Sequence, residues 1–506
     1  MQSSAQRAGA ASLGRQATSG FAWTGLQRLT EQGTQFVVGI ILARLLTPDD
    51  FGLLGMVLVF TGFATVLSDL GLGSALVQRV ETTADHFDAV FWTSAFVGLL
   101  LTGFGMLASP WVAAFFNQPA VQPIMAFISL GFVFSTLGVI QSSLLKRAMD
   151  FKRLALIGLS GRILIGVVGV AMALLGYGVW SLAVPIVVSQ AYSTLMLWIA
   201  GPRWRPQLSF RWSALRSLFG FSSNLLGFST LNYWLRNADN FLIGKVLGSA
   251  ALGLYTRAYS LMMVPVTQAS GVISKVLFPA FSQIQDDPDR LRAIYLRVVR
   301  VVALVVAPIM VGLAITARPF VLVVLGEQWE PMIPVLRILA IVGLLQSINA
   351  LGSNIYLGTG RTDLAFKVGG GFSVVGVLTI IIGLRSGIVG VAAWYAGSTA
   401  LQFIVQQQIA LRLVDGNLWD VARAVASVSA CTVAMALGVI AVGKLLPSVW
   451  PMVGLLGAQV TAGAIVYFAL LHLGRVEAYH EIRQVVSQWR TWRQSSAGVE
   501  STSVVT

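Results

Sequence analysis

The chain has 506 residues, 56% hydrophobic and only 11% charged, with a mean hydropathy of +0.78 and a formal net charge of +14. Soluble domains carry roughly 25% charged residues, so the composition excludes an ordinary soluble globule and points to an all-α polytopic membrane protein. One cysteine (Cys431), three scattered histidines (His86, His472, His480) and the lack of a G-x-x-x-x-G-K-[ST] loop exclude a disulfide framework, a thiolate or histidine metal site, and ATP-driven transport within this chain.

Residues 1–19 are polar and small, with no apolar core of a signal peptide, and read as a cytoplasmic arm. A helix needs about 20 apolar residues to cross a bilayer. Such runs lie at 20–46, 49–77, 86–115, 121–146, 152–176 and 179–201, an N-lobe of six helices over 20–201. The basic segment 202–216 reads as a cytoplasmic connector. A C-lobe over 217–412 follows, with runs at 217–247, 251–281, 292–325, 332–357, 363–384 and 388–412. Two more runs, 420–445 and 449–473, fill the segment 413–473, which makes about 14 helices. A basic tail, 474–506, closes the chain.

The loops set the expected sidedness. "LKRAMDFKR", "GPRWRPQLSFRWSALR", "DRLRAIYLR" and the tail are rich in Lys and Arg, whereas "TPDD", "NQPAVQP", "GSAA" and "GEQWE" are acidic or neutral. Cationic loops stay in the cytoplasm, so both termini are expected inside, and the net charge reports topology rather than nucleic-acid binding. No expected outer loop exceeds about a dozen residues, too short for an external catalytic domain. A membrane enzyme would need catalytic carboxylates there, and the cluster "DDPD" (286–289) falls on the cytoplasmic side.

An internal repeat is visible in the pattern. "ARLLTPDDFGLL" (43–54) aligns with "GKVLGSAALGLY" (244–255) at an offset of 201 residues, placing Gly52 over Gly253 and Leu46 over Leu247. "GYGVWSLAV" (176–184) aligns with "RSGIVGVAA" (385–393) at an offset of 209. An even number of helices separates the copies, so this is a parallel repeat of two six-helix bundles plus two C-terminal helices. Secondary transporters built this way bind substrate between the repeats.

"NYWLRNADN" (232–240) interrupts the apolar run of the seventh helix. At helical spacing, Asn232, Arg236, Asp239 and Asn240 share a stripe of about 100°. In the first helix Thr24, Arg28, Glu31, Gln32 and Gln35 do the same, and the 201 offset sets Glu31 over Asn232 and Gln35 over Arg236. A charge at mid-membrane costs about 3 kcal/mol or more, so these stripes are expected to face a wet space between the bundles. The alternative is that Arg28–Glu31 and Arg236–Asp239 neutralise each other and pin helices together. In the eighth helix Arg257, Gln268 and Lys275 form a track, where Lys275 either lines the path or snorkels to an interface. The expected cavity cations, Arg28, Arg236, Arg257 and Lys275, outnumber the acids Glu31 and Asp239 by four to two. Such a cavity favours an anionic ligand such as a phosphate, and disfavours the drug/cation antiporter alternative. Trp23, Tyr233 and Trp234 beside these groups suit sugar rings or ordinary helix packing. Asp69, in "LSDLGLG", is a lone acid of the second helix.

"RLLTPDDFGLLGM", "LSDLGLGSALVQR", "LLKRAMDFKRLA", "GYGVWSLA" and "NYWLRNADNFLIGKVLGSAALGLYTRAYSLMMVPV" followed by "VLFPAFSQIQDD" resemble Wzx-type polysaccharide flippases. Within them the nearest branch is the one exporting exopolysaccharide repeat units of the colanic acid or xanthan kind. The resemblance spans about residues 20 to 415. It implies a bacterial inner-membrane member of the multidrug/oligosaccharidyl-lipid/polysaccharide exporter superfamily, a transporter rather than an enzyme. Such a protein moves undecaprenyl-pyrophosphate-linked oligosaccharide to the periplasmic leaflet by alternating access and hands it to a polymerase and co-polymerase. It implies central-cavity cations, carried here by position onto Arg28, Arg236 and Arg257. No cofactor is implied. Coupling to a Na⁺ or H⁺ gradient is compatible with Glu31, Asp69 or Asp239 as carrier, and the sequence selects none of them.

Overall fold

A backbone in hydrocarbon has no water to bond, so each crossing segment closes its own hydrogen bonds as a helix. The computed structural model describes residues 33–69, 71–79, 81–202, 204–208, 211–446, 450–474, 476, 477 and 479, and no strand occurs among them. In chain order the first helices are α1 (Gly33–Leu45), α2 (Pro48–Asp69), α3 (Leu72–Gln78), α4 (Ala84–Phe116), α5 (Val121–Ser129), α6 (Gly131–Leu137), α7 (Val139–Arg147), α8 (Phe151–Leu174) and α9 (Trp180–Ala200). Next comes α10 (Trp212–Gln283), two helical arms meeting at Gly248, whose φ of 87° and ψ of 179° interrupt the helix. The remainder is α11 (Pro288–Ile315), α12 (Ala317–Phe320), α13 (Ile333–Gly358), α14 (Thr362–Gly383), α15 (Gly387–Arg412), α16 (Leu418–Leu445) and α17 (Met452–Leu473).

Ten helical segments among the described residues are long and apolar enough to cross a membrane, against fourteen expected. The difference lies in three places. α1 is described only from Gly33, α14 and α15 count as the single segment Thr362–Arg412, and α10 is not among the ten. The arms of α10 carry Arg236, Asp239, Arg257 and Lys275, which lower their apolar character. Elsewhere the outward stripes are plain: Phe96, Leu99, Leu100, Phe104, Leu107 and Trp111 of α4 are each more than half exposed. A patch of that size on a soluble protein would drive association; here lipid covers it.

Local chemistry sets the helix ends. Asp150 accepts the Arg153 amide at 3.1 Å to cap α8, and Asp287 accepts the Arg290 amide at 3.0 Å to cap α11, with Pro288 in the first turn. Asn417 and Asp420 form a reciprocal capping box at the start of α16.

The chain packs as two compact units that divide between Thr256 and Arg257. Division by packing therefore falls inside α10, whereas division by repeat falls at the connector. In the first unit, Leu42 of α1 and Leu46 just past it pack with Ala173 of α8 and Leu182 of α9. Leu72, Leu76, Val90, Phe91 and Ile140 form a second core, flanked by Trp92, Trp198 and Trp204. The connector is strapped over this core. Gln207 donates its amide to Asp88 at 3.1 Å and accepts from Trp92 Nε1 at 2.8 Å, while Arg211 pairs with Asp85 at 2.7 Å. In the second unit, α16 and α17 join α11 through Leu304, Val428, Met435, Val439, Tyr467 and Leu471. Val476, just past α17, is buried in the same cluster, and Glu477 pairs with Arg300 of α11.

The repeat has a geometric counterpart inside the first unit. A Cβ on Gly52 would lie 1.7 Å from the Ser249 carbonyl oxygen, and a Cβ on Gly253 would lie 1.8 Å from the Pro48 carbonyl oxygen. Gly253 and Ser249 are the residues that the 201 offset sets over Gly52 and Pro48. Residue i meets j′ and i′ meets j, the signature of a two-fold contact. The α1–α2 corner and the α10 bend thus pack reciprocally, and only glycine lets the two backbones approach so closely.

Candidate substrate-binding surfaces

The first arm of α10 is fastened to α2 by its aromatic side. The Tyr233 hydroxyl lies 3.0 Å from the Leu58 carbonyl oxygen and 2.8 Å from that of Val59, and Gly62 leaves the room it needs. Trp234 packs edge-on to Phe60 and Phe241, with ring centroids 6.4 and 5.9 Å away, and tilted on Phe63 at 5.2 Å. Of the two expected uses for Tyr233 and Trp234, these contacts are helix packing. On the same arm Lys245 donates to the Phe115 carbonyl and sits 4.6 Å from the Phe115 ring centroid.

Asn232 and Arg236 lie on the open side of this arm, and both are exposed. Asp239 is half-buried, and its carboxylate accepts the Asn240 amide at 2.8 Å. Asn240 is half-buried, and Asn237 returns its side-chain amide to the Tyr233 carbonyl at 2.9 Å. Among the described residues no ion pair joins Arg236 to Asp239. The stripe is thus split: its acid accepts a neighbouring backbone amide, and its arginine is exposed with no ion pair among the described residues.

The other expected residues fall as follows. Gln35 of α1 is exposed. Trp23, Thr24, Arg28, Glu31 and Gln32 lie outside the described residues. Asp69 is the last residue of α2 and Lys275 lies in the second arm of α10; the structure describes neither side chain. Arg257 opens the second unit and is half-buried.

A family model described as polysaccharide biosynthesis protein matches residues 41–334, more than half of the chain. The chain belongs to the polysaccharide biosynthesis protein family. Within the matched residues lie both corners of the reciprocal contact and the Asn232–Asn240 stretch. The chain is 28% identical over 413 residues to the lipopolysaccharide biosynthesis protein WzxC of Escherichia coli (strain K12), covering 80% of this chain and 83% of that one. It is 27% identical over 478 residues to the teichuronic acid biosynthesis protein TuaB of Bacillus subtilis (strain 168), covering 93% and 98%. Among solved structures, the lipid II flippase MurJ in an inward closed conformation superposes with a TM-score of 0.71 over 88% of this chain and 98% of that one, at 13% identity. That identity carries the fold alone: an all-α membrane transporter fold, as the sequence leads one to expect.

One polar cluster lies on helices where the sequence placed no candidate residue. In the second unit, Gln407 of α15 is fully buried; Tyr295 of α11 donates to its Oε1, and its Nε2 reaches the Ile348 carbonyl at 3.3 Å and Asn349 Oδ1 at 3.4 Å. Gln406 Nε2 donates to the Asn349 carbonyl and to Ser353 Oγ, both at 2.9 Å, and the Tyr356 hydroxyl donates to the Gln406 carbonyl at 2.6 Å. The visible signal was the triplet Gln406–Gln408 in an apolar helix, with Gln402 one turn earlier.

Proposed function

We propose that the chain is a flippase that moves undecaprenyl-pyrophosphate-linked exopolysaccharide repeat units from the cytoplasmic to the periplasmic leaflet by alternating access. The observation that carries this reading is Arg236, an arginine exposed on a membrane helix whose neighbouring acid turns elsewhere. Lipid tails cannot stabilise such a group, whereas a diphosphate can, through two parallel charge-assisted hydrogen bonds. Membership of the polysaccharide biosynthesis protein family supports this substrate class. In this reading Arg28, Arg257 and Lys275 extend the anionic path, and Thr24, Gln32, Gln35, Asn232 and Asn240 offer amides and hydroxyls to the glycan, with Trp23 beside them. Asp239, Glu31 and Asp69 serve as counter-charges or ion carriers. Residues 20–201 and 217–412 act as the two lobes that rock about the path. Both termini lie in the cytoplasm, the protein spans the inner membrane, and a polymerase and co-polymerase receive the product.

The test is genetic. Deleting the gene should make lipid-linked repeat units accumulate and surface polysaccharide disappear, with both restored by the intact chain. Complementation by Arg236→Ala at full export and normal protein level would remove Arg236 from the mechanism. Normal export in the deletion strain, with no second flippase present, would end the assignment.

A further inference from the structure

The buried amides of the second unit continue into a surface. Along α15, Tyr395, Thr399, Gln402 and Gln406 fall on one stripe at helical spacing, and on α13 Gln346, Asn349 and Ser353 do the same. Gln346 Nε2 donates to the Tyr395 hydroxyl at 2.6 Å, and Gln402 Nε2 approaches Gln406 Oε1 at 3.4 Å. The Tyr259 ring of α10's second arm lies 6.5 Å from that of Tyr395. From Gln407 to Tyr395 the column runs roughly 18 Å along α15, more than half of a hydrocarbon core about 30 Å thick.

Burial changes along it. Tyr295, Tyr356, Gln406 and Gln407 are buried, whereas Gln346, Tyr395, Gln402 and Tyr259 are half-buried. Holding helices together explains the buried end. Beyond that end the column continues to half-buried amides and phenols that bond one another and still keep part of their polar surface open. No member is charged, so this surface has no preference for a diphosphate. Amides and phenols present donors and acceptors side by side, the pattern that matches the hydroxyls of a sugar ring, and a tyrosine face accepts its C–H groups.

We propose that Gln346, Tyr395, Gln402 and Tyr259 form a subsite for the uncharged sugar rings of the transported glycan, separate from the arginine-bearing arm of the first unit. This rests on the flippase reading and adds that the glycan is recognised by neutral groups of the second unit, held in place by the buried amides behind them.

The experiment uses the purified full-length chain and, as probe, the free repeat-unit oligosaccharide cleaved from its lipid and pyrophosphate. Equilibrium binding of the labelled oligosaccharide should be saturable, and Gln346→Leu and Gln402→Leu should each weaken it about tenfold, the loss of one or two hydrogen bonds. Tyr233→Phe, on the packing face of α10 in the first unit, should leave it within about twofold. Gln407→Leu, in the buried end, serves as the structural control that lowers thermal stability. Should a leucine variant fail to fold, Gln402→Met at near-wild-type thermal stability makes the same prediction. Wild-type binding by both rim variants overturns the proposal, as does the absence of saturable binding to a chain that export requires. Those results leave the flippase reading standing. Export that survives deletion of the gene removes that reading, and this proposal with it.

Discussion

The first arm of α10 and the α13–α15 pair both carry polar side chains through apolar surroundings, and they do so in opposite ways. On α10 the aromatic face closes against α2 through Tyr233 and Trp234, while Asn232 and Arg236 stay exposed. On α13 and α15 the polar groups are amides and phenols that satisfy one another, and Gln407 and Tyr295 are fully buried. The difference follows from charge. A guanidinium cannot be desolvated without a partner of opposite charge, whereas an amide is content with two or three neutral hydrogen bonds. Exposure of the one and burial of the other thus separates a group open to solvent or, in the proposed function, to a ligand from groups held by packing.

Substitutions put this contrast to the test, taken in order of their cost to the fold. Gly52→Ala should be the most damaging, by about 3 kcal/mol, because its Cβ would lie 1.7 Å from a backbone oxygen that cannot rotate away. Gly253→Ala should match it, since the contact is reciprocal, and the double variant should cost less than the two singles added. Thermal melts of the purified chain check both. Gln407→Leu should cost about 1–2 kcal/mol by stranding the Tyr295 hydroxyl. Tyr233→Phe should cost about 1 kcal/mol and leave export unchanged, as befits a packing residue. Arg236→Ala should leave stability within about 0.5 kcal/mol and yet lower export about tenfold or more, with Arg236→Lys in between, having the charge without the fork. Equal stability costs for Arg236→Ala and Gln407→Leu would erase the distinction between the two regions.

Much of the fold was legible because hydropathy and helical periodicity are one-dimensional signals. Among the described residues the expected spans from the second onward fall on helices, and the repeat at offset 201 reappears as the Gly52/Ser249 and Gly253/Pro48 contacts. "GSAA" read as a plain loop, whereas Ser249 and Gly253 belong to a helical arm with the break confined to Gly248. The polar stripe on α10 was legible as a stripe. Which of its flanking aromatics would pack was not, because that depends on where α2 places Phe60, Phe63 and Gly62. The amides of α13 and α15 were missed for a related reason. A hydropathy profile marks an amide as polar without naming its partner, and Gln406 and Asn349 become a pair only once two helices lie side by side.

The measurement that bears most directly on the central claim is leaflet-resolved transport. The purified chain, reconstituted into vesicles loaded with the lipid-linked repeat unit, should let the glycan pool on one leaflet become accessible to a membrane-impermeant glycosidase on the other, and Arg236→Ala should slow this about tenfold. Accessibility that stays at the half expected for one leaflet, in vesicles carrying folded protein, would contradict the account.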